Sequence, residues 1–284
     1  MRWSPGGSSD DIEDRRGQGG GGFRPGGIHI GLGGMIVLLI LSIIFKRDFF
    51  SLLSTGGSGS DTTISQPDPV RDERERPLVD FVTFVLNDTQ TTWTQILSAQ
   101  NVDYRHAKLV LFRDVIDSAC GMAESATGPF YCPEDEKVYI DLGFYGELRQ
   151  RFGAPGDFAQ AYVLAHEVGH HVQKILGMEE KYLQARRENP RVANQLSVRL
   201  ELQADCFAGV WGNSTAQRRL IDSADVESAL SAAAAVGDDR IQKMSRGRVS
   251  PENFTHGSAA QRTTWFQRGS NSGKIAACNT FGQS

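Results

Sequence analysis

The sequence predicts an α+β domain, a small sheet packed on a helical bundle, preceded by one transmembrane helix. Residues 28–45 form an apolar run without formal charge, residues 107–115 and 137–142 are rich in β-formers, and helical apolar spacing dominates from residue 157 onwards. The 284 residues are 39% hydrophobic, which is enough for a buried core, and a single long apolar run excludes a polytopic membrane protein. A net charge of −4 without a clustered basic segment predicts no nucleic-acid binding.

The N-terminal quarter of the chain differs in composition from the rest. Residues 1–27 are rich in glycine, serine and charge, and we predict a disordered tail because they offer little apolar surface to offset the entropy of ordering. The acidic side chains of this tail offset its arginines, which favours a solvated tail over an RNA-binding one. Residues 46–77 are predicted to be a flexible linker, and the globular domain is expected to span residues 78–284.

The apolar run 28–45 is just long enough to cross a bilayer, which takes about 20 residues. No small-x-small cleavage site follows it, so a signal anchor is favoured over a removed signal peptide, and the low-complexity flanks disfavour a buried core helix. Basic residues lie on both sides: Arg15, Arg16 and Arg24 before it, and Lys46 and Arg47 after it. The slight excess of basic residues before the apolar run favours a cytoplasmic N-terminus and an exported C-terminal domain.

The first part of the domain alternates between helical and strand patterns. Residues 78–97 have apolar side chains at helical spacing and are predicted to form a helix. Residues 107–115 (AKLVLFRDV) and 137–142 (KVYIDL) are predicted strands. The segment between them, which carries Cys120 and Cys132, is expected to be a loop.

Residues 157–177 (DFAQAYVLAHEVGHHVQKILG) predict a helix of about 19 residues, with a capping box of Asp157 and Gln160 at its start and Gly177 at its end. This helix carries a His-Glu-x-x-His motif. His166 and His170 are four residues apart and share a face, where their imidazoles can bind one Zn²⁺.

Glu167 lies about 100° further round this helix, within reach of a zinc-activated water but not placed as a ligand. His171 faces away from the other two histidines. The alternative interpretation is an exposed polar face of the helix. The apolar residues around the motif indicate burial instead, and burying two His and a Glu without a partner would be costly.

A catalytic zinc site needs a third protein ligand. The metzincin pattern would place a Gly and a His three and six residues after His170. Gln173 and Leu176 stand at these positions, which excludes that pattern.

The other common source of the third ligand is a Glu from a later helix. Residues 189–212 predict such a helix, with Asn189 at its start and Gly212 at its end. Glu201 and Asp205 share one of its faces and reproduce the Glu-x-x-x-Asp of gluzincins, in which the Glu is a ligand and the Asp orients a ligating His. For either acid alone, a solvated helix edge is the alternative.

Five segments of the chain together resemble the bacterial family described as "putative neutral zinc metallopeptidases", single-pass proteins with an exported gluzincin-like domain. These segments are GPFYCPEDEKVYID (128–141), AHEVGHHVQ (165–173), RLELQADCFAGVW (199–211), GDDRIQ (237–242) and FTHGSAAQRTTWFQRG (254–269). The resemblance covers about residues 78–284. It implies a zincin-like domain at the bacterial cell membrane, with zinc on His166, His170 and Glu201 and with Glu167 as base.

The expected activity is that of a membrane-anchored zinc endopeptidase acting on a peptide or protein. Zinc with two His, one Glu and one open position lowers the pKa of water towards about 7, and Glu167 can take the proton and pass it to the leaving amine. A donor for the developing oxyanion is also needed, and His256, in a Gly/Ser-rich loop, is the candidate. An ordinary surface or structural histidine is the alternative for His256.

Two other functions are compatible with the sequence. One is a zinc-binding pseudopeptidase that acts as a binding or assembly module at the cell envelope, and the other is a purely structural, membrane-tethered domain. Glu167 favours the enzyme, because a scaffold has no use for a base beside the metal. The sequence does not identify a natural substrate or a protein partner.

The four cysteines are predicted to form two disulfides, Cys120–Cys132 and Cys206–Cys278. The first pair flanks one loop, and the second would attach the C-terminal tail to the helix of the third ligand. A cysteine metal site is the alternative, disfavoured because no Cys-x-x-Cys occurs. The even number of cysteines also favours an exported domain.

Overall fold

A computed structural model of the chain describes residues 1–17 apart from Gly6, and residues 69–124, 128–150 and 156–282. Among these residues are six strands and eight α-helices, which confirms the predicted α+β class. The strands are β1 (Ile12–Asp14), β2 (Lys108–Phe112), β3 (Val115–Ser118), β4 (Gly121–Glu124), β5 (Phe130–Cys132) and β6 (Lys137–Asp141). The helices are α1 (Pro69–Ser98), α2 (Gly143–Gln150), α3 (Asp157–Ile175), α4 (Met178–Glu188), α5 (Ala193–Gln217), α6 (Ser223–Ala235), α7 (Asp238–Arg246) and α8 (Ala259–Ser272).

The predicted transmembrane run 28–45 lies outside these described residues. In the part of the chain that the structure does describe, no helix combines the length and the apolar character that a membrane span requires. The membrane anchor therefore stays a prediction.

Four strands form one mixed sheet in the order β1-β2-β6-β5. In its centre β2 and β6 pair in parallel, from Lys108 opposite Lys137 to Phe112 opposite Asp141, and both strands are almost entirely buried. β1 adds in parallel beside β2, and β5 adds antiparallel beside β6. Central parallel strands carry continuous apolar runs because both of their faces are covered. For this reason β2 and β6 could be predicted from the sequence.

Two strand boundaries differ from the prediction. The predicted strand 107–115 is divided, because β2 ends at Phe112 and the chain turns at Asp114, whose φ is 62°. β3 then pairs antiparallel with β4, so the predicted loop contains this hairpin and also β5. The backbone N–H of Asp114 donates to Asp141 Oδ2 at 3.1 Å, a tertiary contact that no local pattern shows.

Helix α5 passes close to two other helices at glycines, and these contacts assemble the centre of the domain. A Cβ added to Gly169 of α3 would lie 3.0 Å from the carbonyl oxygen of Ala204 on α5. A Cβ added to Gly269 of α8 would lie only 1.9 Å from the carbonyl oxygen of Cys206. A side chain at Gly269 would therefore have no room, and one at Gly169 would fit only if the α5 backbone shifted by a few tenths of an ångström. The main apolar core lies between these helices, α1 and the sheet.

The helix ends were predicted less well than the helices themselves. Helix α3 begins after Gly156 without the predicted capping box, and the Asp157 carboxylate instead accepts a hydrogen bond from Trp3 Nε1 at 3.0 Å. Gly177 has the predicted left-handed conformation, with φ 65°. Gly212 does not end helix α5, because it is buried in the interior of the domain, where tertiary packing continues the helix beyond it.

The predicted disordered tail is wrong for residues 1–17, which are ordered against the domain. β1 pairs with β2, Trp3 packs edge-on against Phe81 with 5.2 Å between ring centroids, and Lys137 Nζ donates to Glu13 Oε1 at 2.6 Å. The composition of the tail shows that its acidic and basic charges balance. Composition cannot show that these side chains pair with residues elsewhere in the chain, as Glu13 does with Lys137.

The predicted linker 46–77 is wrong at its C-terminal end, because α1 begins at Pro69. The buried Arg113 donates from Nη2 to Asp72 Oδ1 at 2.7 Å and to Glu75 Oε2 at 2.8 Å. These ion pairs attach the first turns of α1 to the sheet, although Pro77 lies inside the helix. The domain therefore starts earlier than residue 78.

Both predicted disulfides are confirmed, Cys120–Cys132 and Cys206–Cys278. The first joins the β3–β4 hairpin to β5. The second joins α5 to the short 3₁₀ turn Ile275–Cys278 that follows α8. No free cysteine remains in the described part of the chain.

Candidate metal centre

Three of the predicted site residues converge on one point. His166 and His170 on α3 and Glu201 on α5 offer ligand atoms that all lie within 4.8 Å of one another. His166 Nε2 is 3.2 Å from Glu201 Oε2, and His170 Nε2 is 3.5 Å from Glu201 Oε1. The structure thus brings together the two histidines of the motif and the acid predicted from a separate helix.

The donor set fits a zinc ion. Two ligand atoms that are each about 2.0 Å from a tetrahedral ion lie about 3.3 Å apart. The N···O separations of 3.2 and 3.5 Å at Glu201 are close to this value. Within the described residues the cluster has three ligands, whereas a structural zinc site has four, so the arrangement leaves the open position typical of catalytic sites.

A buried polar cluster holds the other ring nitrogen of His166. Asp205, one turn after Glu201 on α5, places Oδ1 2.9 Å from His166 Nδ1 and is fully buried. The same carboxylate accepts hydrogen bonds from Arg262 Nε at 2.8 Å and from the hydroxyl of Tyr162. An acceptor at Nδ1 fixes the ring orientation and leaves Nε2 free for a metal.

The second histidine has a different outer partner. His170 Nδ1 lies 2.8 Å from Gln173 Oε1. The Gln173 amide nitrogen donates to the carbonyl oxygen of Leu200 at 2.7 Å and to Gln203 Oε1 at 3.1 Å. Gln203 in turn donates to the carbonyl oxygen of Cys278 at 2.9 Å. A chain of hydrogen bonds therefore links His170 to α5 and to the Cys206–Cys278 disulfide.

Three of these outer partners, Gln173, Tyr162 and Arg262, were not predicted from the sequence. Gln173 served only to exclude the metzincin pattern, yet it lies three residues after His170 on the same helix face. Tyr162 lies four residues before His166, so helical spacing could have indicated both. Arg262 is 57 residues from the acid it binds, and no local spacing relates them.

The charges around the site set its protonation when no metal is bound. Burial acts to lower the pKa of His166, but the carboxylates of Asp205 and Glu201 raise it to about 10. Burial acts to raise the pKa of Glu201, but His170 and His166 outweigh this effect and hold it well below the ordinary value. The pKa of Asp205 is lowered in the same way, since Arg262 and His166 outweigh its burial. A metal must therefore displace a proton from His166.

Glu167 adjoins the ligands without joining their hydrogen-bond network. It is only 8% exposed, and no described side chain hydrogen-bonds to its carboxylate. Burial raises its pKa, although the imidazoles of His166 and His170 act in the opposite direction. A buried carboxyl group with a raised pKa and no fixed partner can take up and release a proton.

The predicted oxyanion donor His256 lies in the loop between α7 and α8. Asp238 fixes this loop, because its Oδ2 accepts the backbone N–H groups of Thr255 at 2.7 Å, His256 at 2.7 Å and Gly257 at 3.0 Å. Asp238 Oδ1 also lies 3.3 Å from His256 Nδ1. The His256 side chain is 48% exposed and lies near enough to Glu201 to help lower the pKa of that acid. Partial burial acts to lower the pKa of His256, but Asp238 and Glu201 raise it overall.

His171 points away from the metal cluster, as its position on the helix predicts. Its Nε2 lies 2.6 Å from the carbonyl oxygen of Arg105, and its Nδ1 lies 3.0 Å from the hydroxyl of Tyr131. Burial lowers its pKa, which favours the neutral imidazole. His171 therefore joins α3 to the sheet and its neighbouring loop.

A His-Glu-x-x-His helix whose site is completed by a Glu from a later helix, with an Asp one turn further on, is the arrangement of gluzincin-type metallopeptidases. The chain belongs to the family described as "Putative neutral zinc metallopeptidase", whose model matches residues 1–281. This match begins at residue 1 and not near residue 78, where the resemblance was expected to begin. It thus includes the N-terminal residues that pair with the sheet.

Two relatives of the chain carry names that state no activity. The chain is similar to "Uncharacterized protein YpfJ" of Escherichia coli strain K12, with 45% identity over 293 residues and full coverage of both chains. It is also similar to "Uncharacterized protein Rv2575" of Mycobacterium tuberculosis strain H37Rv, with 43% identity over 206 residues that cover 69% of this chain and 68% of the relative. No solved structure matches the chain.

Proposed function

We propose that the protein is a zinc-dependent endopeptidase. The observation that carries this proposal is the carboxyl group of Glu167, which is buried, has no hydrogen-bonding side chain among the described residues, and follows His166 directly in the chain. A purely structural or binding role for the metal would not require such a group. His166, His170 and Glu201 would hold the zinc ion, with Asp205 and Gln173 orienting the two imidazoles.

When bound, zinc supplies Lewis-acid chemistry, since it acidifies water and polarises a carbonyl group. The chain's own contribution starts with Glu167, which would accept a proton from the attacking water and release it to the leaving amine. Its raised pKa brings the proton affinity of the carboxyl group closer to neutral pH, where a general base works best. The burial of the site limits access of bulk water to this proton.

His256 is the proposed donor to the oxyanion that develops as the peptide bond is attacked. Its raised pKa favours the imidazolium form, which carries a hydrogen-bond donor on each ring nitrogen. Asp238 would occupy Nδ1, which leaves Nε2 for the substrate oxygen. Donors held in advance at such a position typically contribute about 10²- to 10³-fold to turnover.

We further propose that the domain acts in an oxidising compartment, because disulfides persist there and are rare in the cytosol. For a bacterial envelope protein this means the periplasm or the cell exterior. The substrate is proposed to be a peptide or an unfolded protein segment that can enter the open side of the metal cluster.

The test uses the full chain, because residues 1–17 are part of the fold. Purified protein is incubated with a library of peptides blocked at both termini, with and without a chelator, and the products are identified by mass spectrometry. We expect internal cleavage that the chelator abolishes and added zinc restores. Cleavage that continues unchanged after metal removal, or no cleavage by the zinc-loaded protein, would contradict the proposal.

A further inference from the structure

Residues 1–17 are built into the domain, although the predicted signal anchor lies between them and the rest of the fold. Their backbone extends the mixed sheet at the β2 edge. The N–H of Leu109 donates to the carbonyl oxygen of Asp11 at 2.7 Å, and the N–H of Arg15 donates to that of Leu111 at 2.8 Å. At the other end of the segment, the N–H of Arg2 donates to the carbonyl oxygen of Leu220 at 2.7 Å.

The charged side chains of this segment have specific partners on the domain. Asp11 accepts from Lys108 Nζ at 2.7 Å and from Gln90 Nε2 at 2.9 Å, and lies 2.7 Å from His106 Nδ1. These three partners lie on α1, on β2 and in the loop between them. Asp11 contacts all three only when the segment pairs with β2 in this one register.

Arg16 shows the strongest anchoring, since it is only 7% exposed. Its guanidinium donates to Asp14 Oδ2 at 2.7 Å and to Glu75 Oε2 at 2.8 Å. Its carbonyl oxygen accepts from Arg113 Nη1 at 3.4 Å. Glu75 is the partner on α1, and undocking the segment would separate this ion pair and leave Glu75 without the Arg16 cation, so the contact is not compatible with a loosely attached tail.

The segment also reaches the helix that carries the metal ligands. Trp3 packs against Phe81 and Phe84 of α1, at 5.2 and 6.4 Å between ring centroids. Its Nε1 donates to Asp157, the first residue of α3. The amino group of Met1 is 2.6 Å from Asp225 Oδ1 on α6. Residues 1–17 therefore contact the sheet and three helices of the domain.

These contacts restrict how the chain can be placed in a membrane. A single crossing between residues 17 and 69 would put residues 1–17 on one side and the domain on the other. The hydrogen bond of 2.7 Å between Leu109 and Asp11 and the ion pair of 2.8 Å between Arg16 and Glu75 cannot form across a hydrocarbon core about 30 Å thick. A second copy of the chain with the same orientation could not supply the segment either, because its N-terminus would lie on the same far side.

We infer that residues 1–17 and residues 69–282 lie on the same side of the membrane in the folded protein. This inference contradicts the arrangement expected from the sequence, in which the N-terminus is cytoplasmic and the domain is exported. It does not depend on the proposed peptidase activity, because it rests on the contacts of β1, Trp3 and Arg16. Together with the two disulfides, it places the N-terminal segment in the oxidising compartment as well.

The first test compares the sides directly in cells that make the full chain. Ser8→Cys and Ser98→Cys each introduce one thiol at an exposed serine, one in the N-terminal segment and one at the end of α1. Cells with an opened outer barrier are treated with a membrane-impermeant maleimide before and after the inner membrane is permeabilised. The unmodified chain, whose four cysteines are paired, gives the background.

We expect both thiols to react before permeabilisation. If both react only afterwards, the two segments still share a side, and only the assignment to the oxidising compartment is wrong. If one thiol reacts before permeabilisation and the other only afterwards, the inference is overturned.

The second test asks whether the segment is docked in the full-length protein, using two neighbouring arginines. Arg16→Met removes the buried guanidinium, and Arg15→Met removes one that is only partly buried and pairs with Glu13. We expect Arg16→Met to lower the Tm of the purified full chain by about 5 °C or more and Arg15→Met to change it by less than about 2 °C. Equal, small shifts for both variants would show that the segment is not docked.

Discussion

Arg262 and Asp205 form a fully buried pair, in which Arg262 Nε is 2.8 Å from Asp205 Oδ2 and Arg262 Nη2 is 2.9 Å from Asp205 Oδ1. The same Nη2 donates to the hydroxyl of Tyr162 at 3.2 Å. Because α8 supplies the arginine and α5 the aspartate, the pair joins the C-terminal helix to the helix of the third metal ligand. The orientation of His166 thus depends on a residue far away in the chain.

Arg262→Met should lower the free energy of unfolding by about 3–5 kcal/mol, because it leaves the Asp205 carboxylate buried without its cation. Urea unfolding of the metal-free full chain measures this loss. Arg268→Met is the matched control on the same helix, where an exposed guanidinium lies 4.8 Å from the Trp265 ring. We expect that control to cost about 1 kcal/mol or less. Similar losses for the two variants would mean that the buried pair does not stabilise the fold.

Substitution of a metal ligand should weaken zinc binding far more than substitution of a residue that only orients a ligand. Glu201→Ala removes a direct ligand and should abolish stoichiometric zinc binding, whereas Gln173→Ala and Asp205→Ala should weaken it by about 10- to 100-fold. Competition with a chromophoric chelator gives the affinities. Gln184→Ala, on the exposed face of α4, is the control for the glutamine and should bind zinc like the wild type. Unchanged affinity in Glu201→Ala would place the third ligand elsewhere.

The part of the site that the sequence predicts depends on local periodicity. His166 and His170 on one helix, and Glu201 and Asp205 on another, are pairs four residues apart, so that a single turn determines their shared face. The distance between the two pairs depends on the contact of Gly169 with the backbone of α5, which no periodicity describes. Their convergence was expected from the gluzincin pattern and from the family resemblance, and the contact supplies its physical cause.

The features that the sequence does not show depend on partners distant in the chain. Composition could not reveal that Arg16 is buried between Asp14 and Glu75, so residues 1–17 resembled a solvated tail. Gly212 fits a helix end by local rules, but its position in the core near Phe158 continues the helix. At Gly212, tertiary packing outweighs a local preference of about 1 kcal/mol. At residues 1–17, the contacts offset an ordering entropy of about 1–2 kcal/mol per residue.

Zinc binding should release at least one proton at neutral pH, because the pKa of about 10 keeps His166 protonated in the metal-free protein and only the neutral imidazole binds metal. Burial acts to lower the pKa of the second ligand His170, but Glu201 raises it overall, which adds to the protons released. Apparent affinity should therefore rise by about tenfold or more per pH unit up to about pH 10. Titration calorimetry at one pH in two buffers of different ionisation enthalpy counts the protons. The Asp205→Asn variant should release fewer protons when it binds zinc, because the substitution removes a carboxylate that raises the pKa of His166. Buffer-independent heats would contradict the prediction.

The same raised pKa links the stability of the metal-free protein to pH. The ordinary pKa of a histidine is 6.5, so the contribution of protonated His166 to stability is fully present below about pH 6.5 and is lost as the pH rises through about 10. The Tm of the metal-free full chain, measured between pH 6 and pH 10.5, should fall across this range. Zinc-loaded protein should show a smaller fall, because the bound metal has already replaced the proton.

Loss of the Cys206–Cys278 disulfide should destabilise the domain more than loss of Cys120–Cys132. The first links residues 72 apart and the second links residues 12 apart, for which chain entropy predicts about 4 and about 3 kcal/mol. Cys206 and Cys278 are also buried, so replacing both by Ala removes core contacts. Urea unfolding of the two double Ala variants compares them directly, and a larger loss for the Cys120–Cys132 variant would contradict this order.

Glu167→Gln distinguishes an enzyme from a zinc-binding module, because it preserves the shape of the side chain but removes its ability to accept a proton. Zinc content and Tm should stay close to wild type, since Glu167 is outside the three-ligand cluster. Turnover of the best library peptide should fall by at least about 10²-fold. If the protein acts as an assembly module, its cellular role should survive Glu167→Gln and be lost only in Glu201→Ala, which empties the site. Loss of zinc from Glu167→Gln would instead show that this carboxylate is itself a ligand, because a proton acceptor outside the cluster can be removed without releasing the metal.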